Sequence, residues 1–281
     1  MTEKISFLGI QMDCTPNPLD NAAHIAEAII KNPNCDYAIT PECAMSGYTP
    51  NWQTNYDDAL QIVLDAAKET QTGVFLGTIS KGNQTFNNCL VVNKQGKVVN
   101  EQAKSQIIPW DKTLGCKPAP ITTPIELPDH PGLTAGVMIC NDFWGGPMMD
   151  IPCLPTQYCT EGGANILIHC TNGSRGNGEL HDQIYWDWHK AFLQMVSKYH
   201  MIPVISVDNS CHMTGEPYRG RTSSPSGCWV TGEKIAGVPD FGQHNFIADI
   251  PISVISGDPW DNIEMVENNR LKDKRTGEYL P

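Results

Sequence analysis

Residues Leu133–Asp142 read L-T-A-G-V-M-I-C-N-D, and the fold is decided there. Leu133, Ala135, Gly136, Val137, Met138 and Ile139 are small or apolar, and no charge appears until Asp142. That composition is a strand buried on both faces. The strand stops at a thiol, Cys140, and the carboxyl end of such a strand is where open α/β sheets place their chemistry. The next backbone N–H groups, from Asn141 and Asp142, can face an oxyanion formed beside the sulfur. Taken alone, a buried cysteine is packing, because free cysteine behaves as a small hydrophobe. The balance changes with what lies around it.

Working outward, Ile5–Gln11 predicts a first strand, and Asp20 or Asn21 is expected to cap a helix through Ala22, Ile25, Ala26, Ile29 and Ile30. Tyr37–Thr40 is a short strand leading into Pro41-Glu42. Ala59, Ile62, Val63 and Ala66 share one face of a helix over Tyr56–Glu69, with Gly73 as its stop. Val74–Ile79 and Cys89–Val92 are strands, Asn93–Lys97 turns a hairpin back through Val98 and Val99, and Lys104 lies just beyond. After a proline-rich passage and the strand ending at Cys140, strands are expected at Asn165–His169, Ile202–Val207, Gly227–Val230 and Phe246–Ile250. A long amphipathic helix covers His181–His200. Strands alternating with helices indicate an α/β fold, one domain over 1–250 and a polar tail over 251–281. The tail is expected as an arm over the surface or a partner, or as disorder.

A formal charge of −12 argues against nucleic acid or an anionic membrane as a general partner. The 11 cysteines form no repeating framework, which suits unpaired thiols in a reducing, cytoplasmic setting. The start, M-T-E-K-I-S, shows no secretory signal, and no stretch has the apolar length of a membrane span. Neither C-x-x-C nor H-E-x-x-H occurs, so no metal is expected.

Three reactive residues follow strand ends: Glu42, Lys104 and Cys140. A cysteine needs a base or a cation to become a thiolate, and Glu42 or Lys104 can do either job. Singly, Glu42 is explained as a turn residue after Pro41 and Lys104 as a solvated one. Converging, the three describe acyl transfer through a thioester.

At these residues the chain resembles the nitrilase superfamily of carbon–nitrogen hydrolases. The resemblance begins with G-I-Q-M-D-C-T-P-N-P-L-D-N at Gly9–Asn21 and T-P-E-C-A-M-S-G-Y at Thr40–Tyr48. It continues through F-N-N-C-L-V-V-N-K-Q-G-K-V at Phe86–Val98, A-K-S-Q-I at Ala103–Ile107 and V-M-I-C-N-D at Val137–Asp142. It ends with R-T-S-S-P-S-G-C-W-V-T-G-E-K-I-A-G at Arg221–Gly237. The resemblance implies a four-layer α-β-β-α sandwich that pairs as a homodimer and needs no metal or organic cofactor. It also implies Glu42 as base, Cys140 as nucleophile, and Lys104 with the Asn141 N–H as oxyanion donors, acting on a small amide or carbamoyl substrate.

The chain departs from the pattern in two places. Members carry a second glutamate between the lysine and the cysteine; here Asp111, Glu126 and Asp129 occupy that interval, and Asp111 is the better stand-in. After the cysteine, N-D-F-W-G-G-P-M-M-D replaces an aromatic-Pro-Glu, and no Arg precedes Arg175. Tyr48, Trp110, Phe143 and Trp144 flank the motifs and either line a pocket or pack as core. His169 and His212 lack the surroundings of a Cys-His protease. A nitrilase proper, an acyltransferase resolving the thioester with an amine, and a binding scaffold using the Trp144–Met149 loop are the alternatives.

Overall fold

Alternation along the strands sorts their side chains into three separate cores. In the strand β1 (Lys4–Gln11), Ile5 and Phe7 face one way while Leu8 and Ile10 face the other. The computed structural model describes residues 3–80, 82–144, 153–173, 179–210, 222–256, 263–266 and 270–273. After β1 come α1 (Pro18–Lys31), β2 (Tyr37–Ile39), α2 (Tyr56–Thr70), β3 (Gly73–Ile79), β4 (Asn87–Val92) and β5 (Val98–Ala103). Then follow α3 (Pro109–Thr113), β6 (Ile125–Glu126), β7 (Thr134–Ile139), and α4 (Leu154–Thr156), which runs into a π turn at Gln157–Glu161. Next are β8 (Ile166–Cys170), α5 (Glu179–His200), β9 (Val204–Val207), β10 (Gly227–Val230), β11 (Glu233–Gly237) and β12 (His244–Pro251). Last come α6 (Ile252–Ser256) and a small antiparallel pair, β13 (Ile263–Val266) and β14 (Arg270–Asp273).

Two six-stranded sheets result, ordered β12-β1-β2-β3-β4-β5 and β11-β10-β9-β8-β7-β6. Each has three parallel strands at its centre, β1-β2-β3 and β7-β8-β9, with antiparallel strands outside. Leu8, Ile10, Val74 and Leu76 pack with Ile25 and Ile29 of α1 and Ala59 and Val63 of α2. Phe7, Ile39, Phe75 and Val91 of the first sheet meet Val137, Ile139, Ile168 and Ile205 of the second. Met138, Leu167 and Val204 pack with Leu193 and Val196 of α5. The order is helix, sheet, sheet, helix, the expected four layers. Ile25 and Ile29 are fully buried, which stabilises α1 by roughly 1.5–3 kcal/mol each.

Two local expectations are corrected. The cap of α1 is Asn17, whose Oδ1 accepts the Leu19 N–H at 3.2 Å, and Pro18 enters the first turn with its φ already suitable. Asn21 instead ties down the preceding loop through the N–H and carbonyl of Thr15. The helix α2 stops at Gln71 in a left-handed cap, not at Gly73. Gly73 opens β3, where a Cβ would stand 2.7 Å from the Tyr37 ring.

The strands β2, β5, β7, β8 and β9 all run toward the same end of the two sheets, and Glu42, Lys104, Cys140, Thr171 and Asp208 follow them. No described helix is long and apolar enough to cross a membrane.

Candidate active site

Glu42 sits in the turn that leaves β2, and bare backbone below it makes room for that turn. A Cβ on Gly77 of β3 would lie 1.9 Å from the Pro41 carbonyl oxygen, so only glycine allows the turn to rest there. The Glu42 side chain is fully buried. Its Oε1 accepts from Lys104 Nζ at 2.6 Å and from Asn87 Nδ2 at 2.6 Å. Its Oε2 accepts the Asn172 N–H at 3.1 Å, and Asn172 Nδ2 also donates to the Glu42 carbonyl.

Lys104 emerges from β5 with its N–H on the Asn87 carbonyl at 2.8 Å and its side chain entirely out of solvent. A second carboxylate, Asp111 of α3, brings Oδ2 to 2.9 Å from Lys104 Nζ. Asp111 also accepts from Tyr48 OH at 2.5 Å, Asn87 Nδ2 at 2.9 Å and the Ile108 N–H at 2.9 Å. Asn87 therefore bridges both carboxylates, and its own Oδ1 faces Cys43 Sγ at 3.5 Å.

Cys140 opens a 3-10 turn at the end of β7 with φ of +48°, a left-handed conformation that non-glycine residues adopt only under constraint. The constraint has visible partners. His169 of β8 brings Nε2 to 3.2 Å from the Cys140 carbonyl oxygen and Nδ1 to 2.9 Å from Ser206 Oγ. Phe143, two residues past Asn141, stacks on that imidazole at 4.7 Å. The Thr171 side chain favours the ionised form of the sulfur. Asp142 turns back, accepting the Ile139 N–H at 3.3 Å, the Ser105 N–H at 3.1 Å and the Gln106 N–H at 2.8 Å.

Burial controls the titration of the whole cluster. It pushes Glu42 up, Asp111 adds to the shift, and Lys104 opposes it. Burial alone would pull Lys104 down, but Glu42, Cys140 and Asp111 outweigh it and hold the ammonium well above its usual range. Asp111 ends below its usual range, because Lys104 and the Tyr48 and Ile108 donors overcome its burial. The Cys140 thiol is pushed up by burial and by Glu42, so it rests as a thiol. His169 is driven down to about 3 by burial and stays neutral. A neutral thiol beside a carboxylate of raised proton affinity and a permanent cation can pass its proton to the carboxylate as it attacks.

The structure thus brings Glu42, Lys104, Asp111 and Tyr48 into one hydrogen-bonded group, with Cys140 in electrostatic reach. Trp110 stands at its border, with Nε1 on the Tyr48 carbonyl at 3.2 Å. Asn141 is half-buried behind the sulfur-bearing residue. Trp144 is packed among Phe143, His169, Trp188, His189 and Phe192, stacked on His189 at 4.2 Å. Arg175, His212 and residues 145–149 lie outside the described residues.

The model of the carbon-nitrogen hydrolase family matches residues 9–260, most of the chain. The chain belongs to the carbon-nitrogen hydrolase family. Among solved structures, this hydrolase is similar to a carbon-nitrogen hydrolase from Helicobacter pylori G27, with a TM-score of 0.73, 16% identity and 90% of each chain covered. It is similar to Saccharomyces cerevisiae Nit3, a member of branch 10 of the nitrilase superfamily, with a TM-score of 0.70, 16% identity, and 90% and 92% coverage. A mutant of the amidase from Nesterenkonia sp. AN1, showing the Michael addition of acrylamide at its active-site cysteine, aligns with a TM-score of 0.68, 15% identity, and 92% and 97% coverage. No curated protein matches the sequence.

Several members of the hydrolase's site escape sequence reasoning. Asn87 sits inside F-N-N-C-L-V-V, where it reads as the start of a hairpin strand. Its signal is a polar side chain heading an otherwise apolar run. Asn172 and Thr171 follow a buried strand just as Cys140 does, and that shared position is the signal that could have found them.

Proposed function

We propose that this carbon-nitrogen hydrolase cleaves a small amide to its acid and ammonia through a thioester on Cys140. The observation that carries the reading is a buried ammonium, Lys104, held 2.6 Å from one carboxylate and 2.9 Å from another beside a buried thiol. A solvated turn lysine needs neither two carboxylates nor complete exclusion from water.

Oε1 of Glu42 is committed to Lys104 and Asn87, so Oε2, which among the described residues accepts only the Asn172 N–H, is the oxygen that receives the thiol proton. Sulfur then bonds to the amide carbon, and the carbonyl π electrons move onto oxygen. Lys104 and the Asn141 N–H stabilise that oxyanion. Glu42 returns its proton to the nitrogen, the carbon–nitrogen bond breaks, and ammonia leaves. Water gives a proton to Glu42 as it adds to the thioester; collapse expels the sulfur, which is reprotonated from Glu42. Asp111 keeps Lys104 charged and aimed throughout.

An amide substrate is favoured by the amidase neighbour, a mutant of which was solved in complex with butyramide, and by Asn141-Asp142 in place of the Trp-Glu of true nitrilases. Incubating the protein with short aliphatic amides, ureido acids and nitriles while measuring ammonia tests the reading. Ammonia from amides is the expected result. Turnover of nitriles alone, or of nothing, overturns it.

A further inference from the structure

Asp142 is used by no step above, yet its side chain touches both the lysine loop and the cysteine turn. Its carboxylate is buried and accepts three backbone N–H groups. Two, from Ser105 at 3.1 Å and Gln106 at 2.8 Å, belong to the loop that begins at Lys104. The third, from Ile139 at 3.3 Å, belongs to the residue before Cys140. The lysine loop comes from the first sheet and the cysteine turn from the second, and Asp142 joins the two through its side chain.

We propose that Asp142 is a positioning residue whose carboxylate ties the Lys104 loop to the Cys140 strand and so sets the placement of the cation over the reacting carbon. As a role in catalysis this rests on the hydrolase reading above. The tie needs an ionised acceptor: two oxygens serve three donors, and a protonated carboxyl would turn an O–H toward one of them. Burial pushes Asp142 up to about 6, against the pull of the three N–H groups and Lys104. The charged and titratable groups around it are Lys104 from the loop after β5, Tyr158 from the π turn and Cys140 on its own turn. The first is a fixed cation and the other two rest neutral, with Tyr158 and Cys140 both pushed up by burial, so Asp142 itself is the group that titrates near neutrality. The tie therefore holds above pH 6 and loosens below it.

The test pairs kinetics with hydrogen exchange, using wild type and Asp142→Asn. An ångström of misplacement costs about a hundredfold in rate, so kcat is expected to fall by about that factor with KM held near wild type. Exchange at Ser105 and Gln106 is expected to accelerate at least about tenfold, the loss of a charge-assisted hydrogen bond, while Ile166–Cys170 keeps its protection. In wild type alone, the same two amides are expected to lose protection, after correction for intrinsic exchange, as pH falls through 6. That measurement needs neither substrate nor variant, so it decides the tie even if the protein hydrolyses no amide, which would sink only the reading above. Full kcat in Asp142→Asn, or unchanged protection at Ser105 and Gln106 in both experiments, overturns the proposal.

Discussion

Lys104 Nζ stands 2.6 Å from Glu42 Oε1, and neither side chain is exposed to solvent. A buried pair of this kind is costly to break from one side only, because the remaining charge has no water to turn to. Here two carboxylates share the one cation, so its removal strands both Glu42 and Asp111.

Lys104→Met is accordingly expected to lose about 3–5 kcal/mol of stability as well as about a hundredfold or more of kcat. The two losses separate with pH. Without the cation, Glu42, already pushed up by burial, rises further, so the folded state binds more protons and stability falls as pH rises. Urea midpoints for the variant should be higher at pH 5 than at pH 8. A variant equally stable at both, with near-normal turnover, would remove Lys104 from the site.

Cys140→Ala is expected to abolish ammonia release and leave the circular dichroism spectrum unchanged. The lost sulfur is a small volume at the end of a strand, and the expected cost is about 1 kcal/mol. Residual turnover above background would exclude Cys140 as nucleophile.

A slowly hydrolysed amide or its ester analogue should leave an acyl group on the protein. Intact mass after acid quenching should rise by one acyl unit, and peptide mapping should place it at Cys140. Cys14, Cys43 and Cys89 are buried as Cys140 is, with Cys14 and Cys43 pushed up by burial and nearby carboxylates and Cys89 by its hydrogen bond with Cys170 and by burial. An adduct on any of them would mean a different nucleophile.

His169 holds the Cys140 carbonyl while neutral, and its pKa of about 3 against an unfolded value of 6.5 makes it an acid-sensitive part of the fold. Between those values the unfolded chain takes a proton that the folded chain refuses, so stability is present above 6.5 and lost as pH falls. In His169→Gln the slope of unfolding free energy against pH should drop by about 1.4 kcal/mol per unit in that window. Parallel wild-type and variant slopes would show that the imidazole accepts a proton in place.

Gly77→Ala should harm the base more than the fold. The new methyl would meet the Pro41 carbonyl at 1.9 Å and push the turn that carries Glu42. Overpacking of this kind costs about 1–3 kcal/mol, while a displaced base costs about a hundredfold in kcat. Gly82→Ala, where a Cβ meets only the Gln84 carbonyl oxygen at 3.7 Å, is the matched control for activity.

Legibility in the sequence followed burial. Val74–Ile79 and Leu133–Ile139 are plain because strands buried on both faces leave unbroken apolar runs, and each such run ends close to a chemical group. β11, Glu233–Gly237, is mostly exposed and carries two charges, so no periodicity marks it, and β6 is two residues inside a proline-rich passage. Asn17 lost the cap of α1 to Asp20 and Asn21 on paper because all three are good capping residues; Pro18 decides among them only through its backbone. Asn87 and Asp142 were hidden for a different reason. Their partners lie 45 and 24 residues away in Glu42 and Asp111 for the one, and 37 and 36 in Ser105 and Gln106 for the other, and no local pattern reports such pairings.

Lys4–Gln11 pairs residue for residue with His244–Pro251, so β1 is made well before β12 and completes its edge only once β12 has followed. A nascent chain carries Glu42, Lys104 and Cys140 long before it can close the sheet that holds two of them. Competence therefore waits for β12, and a chain interrupted before residue 244 exposes a bare apolar edge instead. Such fragments would find other strands to pair with, and clearance by proteolysis would be their safest fate.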